Sequence, residues 1–297
     1  MQSLGWSRPS FPKRETLLFV QAGILLLLGA WLYAPLALRM ASLWWRDPNY
    51  THGFFVPVFS LFLLWERRAK LAALPVRPAW SGLVILLFAL MALVQSTIKS
   101  GFFLYRLSVL LFIVGVVVFL AGWKHLAAIS FPLAFLVLMV PSSTLVEQIT
   151  FPLQIVASKI ASFLLMLAGV PAIREGNIIL LPSARLEVAE ACSGIRSLFS
   201  LLTLTMVYGY LAETKIGARV LLAFMAVPIA VFANALRIAF TGLMVEGWGV
   251  ERAEGTIHAL SGWLVFVASL ALIFALHRLV RILWVGRSEA AVREEYA

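Results

Sequence analysis

The chain has 297 residues, of which 62% are apolar and only 13% are charged. This composition excludes an ordinary soluble domain and indicates a polytopic membrane protein. The formal net charge of +10 comes mostly from basic residues at the ends of apolar runs, where they meet anionic headgroups, so we expect a lipid bilayer and no nucleic acid as partner. The single cysteine excludes internal disulfides, and no Cys/His cluster predicts a metal or cofactor site.

Apolar runs in the first half of the chain predict five transmembrane helices. They cover residues 17–38, 54–65, 80–98, 107–122 and 126–140. The first run is too long for a signal peptide and lacks a convincing cleavage site, so we expect it to be retained as a span. Trp44 and Trp45 follow this run, and paired tryptophans are typical of a membrane interface.

The second half begins with a run, 145–168, that polar residues and Pro152 interrupt. We interpret it as a helix lying in the outer interface or re-entering the membrane. The pattern then changes, and residues 177–188 predict a small outer hairpin of two short strands before Cys192. Three further spans are predicted at residues 195–211, 220–244 and 260–277.

The distribution of basic residues predicts the orientation. Alternating eight spans with the N-terminus inside places most Lys and Arg clusters, including the tail, on the cytoplasmic side. If residues 145–168 also crossed, the basic tail would lie outside. We therefore predict an all-α membrane protein of about eight transmembrane helices, with residues 1–285 as one domain and 286–297 as a charged, mobile cytoplasmic tail.

The only cysteine, Cys192, lies where a polar segment turns into an apolar run. A helix start there would stabilise a thiolate through its unpaired N–H groups and dipole. Arg196, one helical turn further, would add a cation. The alternative is a small buried hydrophobic residue. Glu187 and Glu190 flank the thiol and could orient a histidine or bind a basic substrate tail, although solvated loop carboxylates are the simpler interpretation.

Arg237 lies inside the predicted seventh span, about 9 Å below its outer end. A guanidinium in an apolar helix is costly and usually faces a bundle interior with a function, although snorkelling to the headgroups is the alternative. Asn234, three residues earlier, shares its face. Arg237 could stabilise a developing oxyanion or bind a carboxylate.

A histidine would complete a site for acyl transfer, in which a thiolate attacks a peptide carbonyl and an imidazole protonates the leaving amine. His258, at the outer start of the eighth span, and His52, in the first outer link, are both candidates. Spacing alone does not choose between them. His125 and His277 are predicted to lie at the level of the cytoplasmic headgroups.

These residues resemble the exosortases, bacterial inner-membrane enzymes of the exosortase/archaeosortase group. The blocks that carry the resemblance are Glu190-Ala-Cys192-Ser-Gly-Ile-Arg196-Ser, Asn234-Ala-Leu-Arg237-Ile, His258 with Ser261-Gly-Trp263, Asp47-Pro-Asn-Tyr-Thr-His-Gly53 with Trp65, Phe151-Pro-Leu-Gln-Ile-Val-Ala-Ser-Lys159, and Arg174-Glu-Gly-Asn177. The similarity extends over roughly residues 17–283. The cysteine block is specific, whereas the arginine and histidine blocks are short.

The resemblance implies a thiol protease and transpeptidase, analogous to sortase but unrelated in fold, with its active site facing the periplasm. Its substrates would be anchored proteins whose C-terminal sorting signal contains a Pro-Glu-Pro motif, a hydrophobic helix and a basic tail. By matching position, Cys192 would be the nucleophile, Arg237 the transition-state arginine and His258, rather than His52, the acid/base. Many members carry an extra C-terminal domain, and the resemblance leaves open whether an accessory protein supplies its role here.

Three other functions fit parts of the pattern. A transporter could use Arg237 to bind an anionic solute, and Cys192 would then be dispensable. A lipid transferase could use the same thiol and would need a lipid-sized cleft. A non-catalytic assembly factor for exopolysaccharide secretion would need none of the three polar residues.

Overall fold

The computed structural model describes residues 14–99, 102–140, 143–188, 195–253 and 256–295. Side chains are described over 20–96, 104–140, 148–188, 195–251 and 260–282. The helices are α1 (Arg14–Arg46), α2 (Phe55–Glu66), α3 (Arg68–Ala72), α4 (Ser81–Lys99), α5 (Phe102–Leu120), α6 (Trp123–Ala128), α7 (Ser130–Phe135), α8 (Ser143–Leu167), α9 (Ile195–Ala212), α10 (Ile216–Trp248), α11 (Val250–Ala253) and α12 (Thr256–Glu295). The strands are β1 (Ile173–Glu175), β2 (Ile178–Leu180) and β3 (Arg185–Glu187).

This is an all-α polytopic membrane fold, as the composition predicts. Within the described part of the chain, five helices are long and apolar enough to cross a membrane. Their apolar stretches are Val20–Arg46, Gln148–Leu167, Ile195–Ala212, Ile216–Trp248 and Leu260–Ile282. Shorter apolar helices cover Ser81–Ser96, Leu104–Leu120 and Ser130–Met139.

The chain divides into two compact units, Met1–Ser142 and Ser143–Ala297. In the first unit, α4 packs closely against α5, and a Cβ on Gly115 would lie 2.8 Å from the Leu86 side chain, so a larger residue would push the helices apart. A 3₁₀ turn, Pro48–Phe54, joins α1 to α2. The predicted fifth span is instead divided into α6, α7 and a second 3₁₀ turn, Leu136–Met139, because the backbone breaks at Ile129.

In the second unit, α10 packs against α8, α9 and α12. Two buried clusters meet along α10. One contains residues of α8, the small sheet with its flanking residues, and the C-terminal half of α10: Ala157, Ala161, Leu165, Ala172, Ile179, Leu181, Val188, Ala235, Ile238, Ala239, Met244 and Val245. The other joins α9 and α12 to α10 through Ile195, Leu198, Leu201, Ala226, Ala230 and Ile273. The mostly small apolar residues of α10 let its neighbours approach closely.

The hairpin predicted before Cys192 is confirmed and is larger than expected. Strand β2 pairs antiparallel with β3, with Ile178 opposite Glu187, and also with β1, with Ile173 opposite Leu180. The turn between β1 and β2 uses Gly176 at φ +66°, a conformation that glycine adopts without strain. Ile179 in the central strand is fully buried, so the small sheet is fixed to the helices beneath it.

Residues 145–168, interpreted from the sequence as an interfacial or re-entrant helix, form α8, and whether this helix crosses the membrane stays a prediction. This helix is continuous through Pro152 and includes an apolar stretch, Gln148–Leu167, long enough to cross a membrane. Of the polar residues that interrupt the sequence pattern, Gln154 is buried, whereas Gln148 and Lys159 are exposed. Thr150, Ser158 and Ser162, which lie on the same face as Gln154 at four-residue spacing, are also buried. Polar residues on a membrane helix can pack against neighbouring helices, so the buried polar residues of α8 are compatible with a helix that crosses the membrane.

Candidate active site

Arg237 and Asn234 lie on α10, as predicted, three residues apart on one face. Asn234 is only 3% exposed, and the Nε atom of Arg237 is shielded from solvent. The backbone carbonyl of Arg237 accepts a 3.0 Å hydrogen bond from the hydroxyl of Thr241, one turn later. Arg237 is half-buried in the second unit with its Nε shielded from solvent, which argues against simple snorkelling into the headgroups.

The guanidinium of Arg237 lies against α12 at Gly262. A Cβ placed on Gly262 would be 3.1 Å from Cζ, 3.2 Å from Nη2 and 3.4 Å from Nε of Arg237. Ser261, next to this glycine, is 8% exposed. The charged group of α10 therefore occupies space that α12 leaves open by having no side chain at this position.

His258 is in the first turn of α12, and its side chain lies outside the described residues. It precedes Gly262 by four residues, which places both positions on one side of the helix, about 6 Å apart along its axis. The helix face that carries His258 is thus the face against which Arg237 packs. The distance between the two functional groups stays a prediction.

Cys192 and Glu190 lie outside the described residues, but both ends of their segment are described. Val188, the last described residue before the segment, is 1% exposed, and Ile195, the first residue of α9 after it, is 2% exposed. These two residues belong to the two buried clusters that meet along α10. The described part of α9 begins three residues after Cys192, and the predicted helix start at the cysteine itself lies outside the described residues.

The hairpin before the cysteine segment is attached to the helices by hydrogen bonds. The Asn177 carbonyl accepts from the Val188 N–H at 3.0 Å, and the Asn177 amide donates to the Val188 carbonyl at 3.4 Å. Ser158 on α8 donates to the carbonyl of Gly176 at 3.0 Å.

At the other end of the hairpin, one carboxylate oxygen of Glu246 on α10 accepts from both the N–H and the hydroxyl of Ser183, at 3.0 and 2.7 Å. These bonds hold the chain that leads to Cys192.

His52 lies in the first unit, and its imidazole has a local hydrogen bond there. Its Nε2–H donates to the Leu138 carbonyl at 3.1 Å, and Gly53 beside it leaves room for the indole of Trp44. Burial lowers the pKa of His52 because it disfavours the imidazolium, while the backbone carbonyls of Leu138 and Asn49 act in the opposite direction. These contacts give His52 a structural role in the first unit that does not require a catalytic one.

The charged residues near the cysteine are exposed. Glu187 ends β3 on the surface, and Arg196, the second residue of α9, is also exposed. Within the part of the chain that the structure describes, neither side chain makes a hydrogen bond or ion pair, and their contacts with a substrate stay predictions. Across the described residues, no group of three or more His, Cys, Asp or Glu side chains could hold a metal ion. Cys192 and the His258 side chain lie outside the described residues.

His277, on α12, is 6% exposed and faces the end of α9, while its depth in the membrane stays a prediction. Its Nδ1 is 2.7 Å from the Tyr208 hydroxyl, and its Nε2 is 2.7 Å from a carboxylate oxygen of Glu213. Arg281 approaches the same carboxylate at 3.8 Å. This polar network joins the ends of α9 and α12 that are far from Cys192 and His258 in sequence.

Sequence reasoning missed three residues that shape the site: Gly262, Glu246 and Asn177. Glycine within an apolar helix usually signals close helix packing, and only the structure shows that a guanidinium is the neighbour. Glu246 follows a predicted span as a surface carboxylate would. Asn177 and Gly262 were noted only as members of resembling blocks, although an Asn beside Gly is itself a turn signal.

Comparison with known proteins gives one finding. A protein-family model described as "Transmembrane exosortase (Exosortase_EpsH)" matches residues 44–275, which include α2 to α10, the hairpin and the first half of α12. No curated protein and no solved structure matches the chain.

Proposed function

Because this chain belongs to the transmembrane exosortase family, we propose that it cleaves C-terminal sorting signals of anchored exported proteins through a thioester intermediate. The family is one of membrane cysteine peptidases, and its members act on protein substrates that carry sorting signals. The protein is accordingly a multi-pass membrane protein with a peptidase or transpeptidase role. We propose the substrate signal, the catalytic residues and the reaction steps.

The observation that carries the proposal is the packing of Arg237 against Gly262, four residues after His258. It brings the intramembrane arginine to the helix face that holds the candidate acid/base. A guanidinium shielded from bulk water stabilises an oxyanion more strongly than one in solution, because fewer water dipoles compete with it.

The anchored cysteine segment supports the same assignment. Cys192 is three residues from Ile195, so chain geometry keeps its Cα within about 11 Å of that residue. Since Val188 and Ile195 both belong to clusters on α10, the segment starts and ends beside the helix that carries Arg237. A thiolate in this segment would be within reach of a substrate bound near the guanidinium.

The proposed reaction begins when the Cys192 thiolate attacks the scissile carbonyl, forming a C–S bond and a tetrahedral oxyanion. Arg237 stabilises that oxyanion, and Asn234 helps to position the arginine. The C–N bond then breaks, and His258 transfers a proton to the leaving amine. Water or an amine acceptor attacks the thioester, forms the new acyl bond and releases the thiolate.

The periplasmic side of a bacterial inner membrane is the proposed location of the site, because substrates held by their own membrane helix would reach it there. Glu187, Glu190 and Arg196 are positioned along the chain to contact charged parts of the sorting signal. An accessory protein could supply the role of the C-terminal domain that many relatives carry.

The test is co-expression with an anchored protein bearing a Pro-Glu-Pro motif, a hydrophobic helix and a basic tail, followed by electrophoresis of the substrate. Cys192→Ala should abolish cleavage. Arg237→Gln should slow it by about 10²–10³-fold, the usual effect of removing an oxyanion donor. His258→Ala should slow it by about 10²–10⁴-fold.

The controls are His52→Gln, which removes the competing imidazole, and Arg174→Gln, which removes an exposed arginine; both should retain cleavage. Full cleavage by Cys192→Ala would exclude the thiol mechanism. A solute flux that requires Arg237 but survives Cys192→Ala would instead support the transporter. Loss of activity in His52→Gln with activity retained in His258→Ala would reverse the assignment of the acid/base.

A further inference from the structure

Gly262 has an unusual neighbour among the glycines that the structure describes. A Cβ there would meet three atoms of one guanidinium, Cζ, Nη2 and Nε of Arg237, at 3.1, 3.2 and 3.4 Å. These three distances differ by only 0.3 Å, so the Nε, Cζ and Nη2 atoms of the guanidinium all lie close to this point of α12, rather than one terminal nitrogen alone. Contacts of 3.0–3.4 Å are tighter than nine in ten natural Cβ contacts, so a methyl group would require the guanidinium to move.

Two other glycines of the second unit have different surroundings and serve for comparison. A Cβ on Gly242 would lie 3.0 and 3.1 Å from the two methyl groups of Leu165, so its small size serves apolar packing. Gly217, near the start of α10, has nothing within 4 Å of such a Cβ. In the described residues, Gly262 is the one glycine whose missing side chain faces the charged end of another residue.

We propose that Gly262 is a positioning residue for Arg237. Its missing side chain lets the guanidinium lie against α12, in the orientation that the reaction requires, one turn from His258. The proposal rests on the proposed function, since it assigns the position of a group that acts there on the transition state. Misplacing such a group by about 1 Å can cost up to about 10²-fold in rate.

Gly262→Ala should therefore lower kcat by about 10-fold or more and leave KM nearly unchanged, because the arginine is needed in the transition state rather than for substrate binding. Its thermal stability should stay the same or rise, since alanine is the better helix former. A merely structural glycine would show the opposite pattern, with reduced stability and a smaller amount of fully active enzyme.

The experiment compares purified Gly262→Ala, Gly242→Ala and Gly217→Ala in cleavage assays with the anchored substrate, together with thermal melting in detergent. Gly242→Ala creates equal crowding against an apolar side chain, so it should affect melting more than kcat. Gly217→Ala should match the wild type in both measurements. A kcat for Gly262→Ala equal to that of Gly217→Ala would overturn the proposal.

A double-substitution cycle tests whether the effect passes through the guanidinium. If it does, adding Gly262→Ala to Arg237→Lys should slow cleavage by less than about 2-fold beyond Arg237→Lys alone, because the group that the glycine positions is already gone. A further loss as large as in the wild-type background would overturn the proposal. Cleavage that survives Cys192→Ala would instead contradict the proposed function, so the two failures are distinguishable.

Discussion

The buried imidazole of His52 makes the stability of the folded protein depend on pH. Its Nε2–H donates to the Leu138 carbonyl, and burial lowers its pKa below the ordinary value near 6.5. Between the lowered folded-state pKa and that ordinary value, the unfolded chain binds more protons than the folded chain. The stabilisation is thus fully present above about pH 6.5 and is lost as the pH falls below it.

We therefore predict that the melting temperature of the wild type falls between pH 7.5 and pH 5.5 by more than that of His52→Gln. The glutamine amide can still donate to the Leu138 carbonyl but does not titrate. Thermal melts in one detergent at the two pH values, with Asn49→Ala as a neighbouring non-titrating control, measure the difference. Equal pH shifts in the wild type and in His52→Gln would contradict the assignment.

The candidate site shows which residues a sequence can reveal. Arg237 stands out because a guanidinium is costly in an apolar helix, and Cys192 because it is the only thiol. Gly262 could not be found this way, since glycine is common in membrane helices. What distinguishes it is a neighbour 25 positions earlier in the chain, and no local pattern reports such a contact.

At the scale of elements, the small sheet is fixed to α10 through Glu246, whose carboxylate oxygen accepts two hydrogen bonds from Ser183. We predict that Glu246→Ala loosens the hairpin and slows substrate cleavage several-fold, because the hairpin leads directly to the cysteine segment. Losing hydrogen bonds to a charged group costs about 1–3 kcal/mol, reduced here by exposure of the turn to solvent. Amide hydrogen exchange in the hairpin measures the loosening directly.

Glu251→Ala is the matched control, because Glu251 is an exposed carboxylate in α11, beyond the same end of α10. It should leave both exchange and cleavage unchanged. If Glu246→Ala leaves hairpin exchange unchanged, the buried residues Ile179 and Val188 alone hold the sheet, and Glu246 has no positioning role.

The network around His277 acts on the helices α9 and α12. The imidazole is 6% exposed and joins Tyr208 to Glu213, so His277→Ala leaves two polar groups without their partner. We predict a loss of about 1–3 kcal/mol in stability, seen as a lower melting temperature. Arg281→Gln should have a much smaller effect, because Arg281 is 63% exposed and an exposed ion pair contributes little. Equal effects of the two variants would contradict this ranking.

Most helices could be predicted from apolar runs because lipid-facing segments must be apolar over most of their length. Helices α4, α5 and α9 match their predicted runs, with the largest difference at the start of α5. The exceptions have physical causes. One polar stripe of α8 is buried against protein. The break at Ile129 precedes Pro132, which has no N–H to donate to the Ala128 carbonyl, and that carbonyl accepts from Arg67 instead.

At the scale of the whole molecule, the length and apolar character of α8 change which segments we predict to cross the membrane. If α8 crosses and the divided segment 123–139 does not, eight crossings remain: α1, α2, α4, α5, α8, α9, α10 and α12. The basic residues near Arg67, Lys124 and Arg219 still fall on the cytoplasmic side. Both termini stay inside, and Cys192 stays outside. If both segments crossed, the second half would invert and place Cys192 in the cytoplasm.

The single cysteine makes this topology testable with a membrane-impermeant maleimide on intact spheroplasts. Cys192 in the wild type should be labelled from outside, and in a Cys192→Ser background Ser143→Cys should be labelled only after the membrane is permeabilised, because α8 begins at this residue on the cytoplasmic side. Lys124→Cys, predicted inside under each alternative, is the control for leakage. Labelling of Ser143→Cys from outside would restore the interfacial interpretation of α8 and the crossing of 126–140. A Cys192 that reacts only after permeabilisation would contradict an outward-facing site, because a thiol in the cytoplasm could not meet an exported substrate.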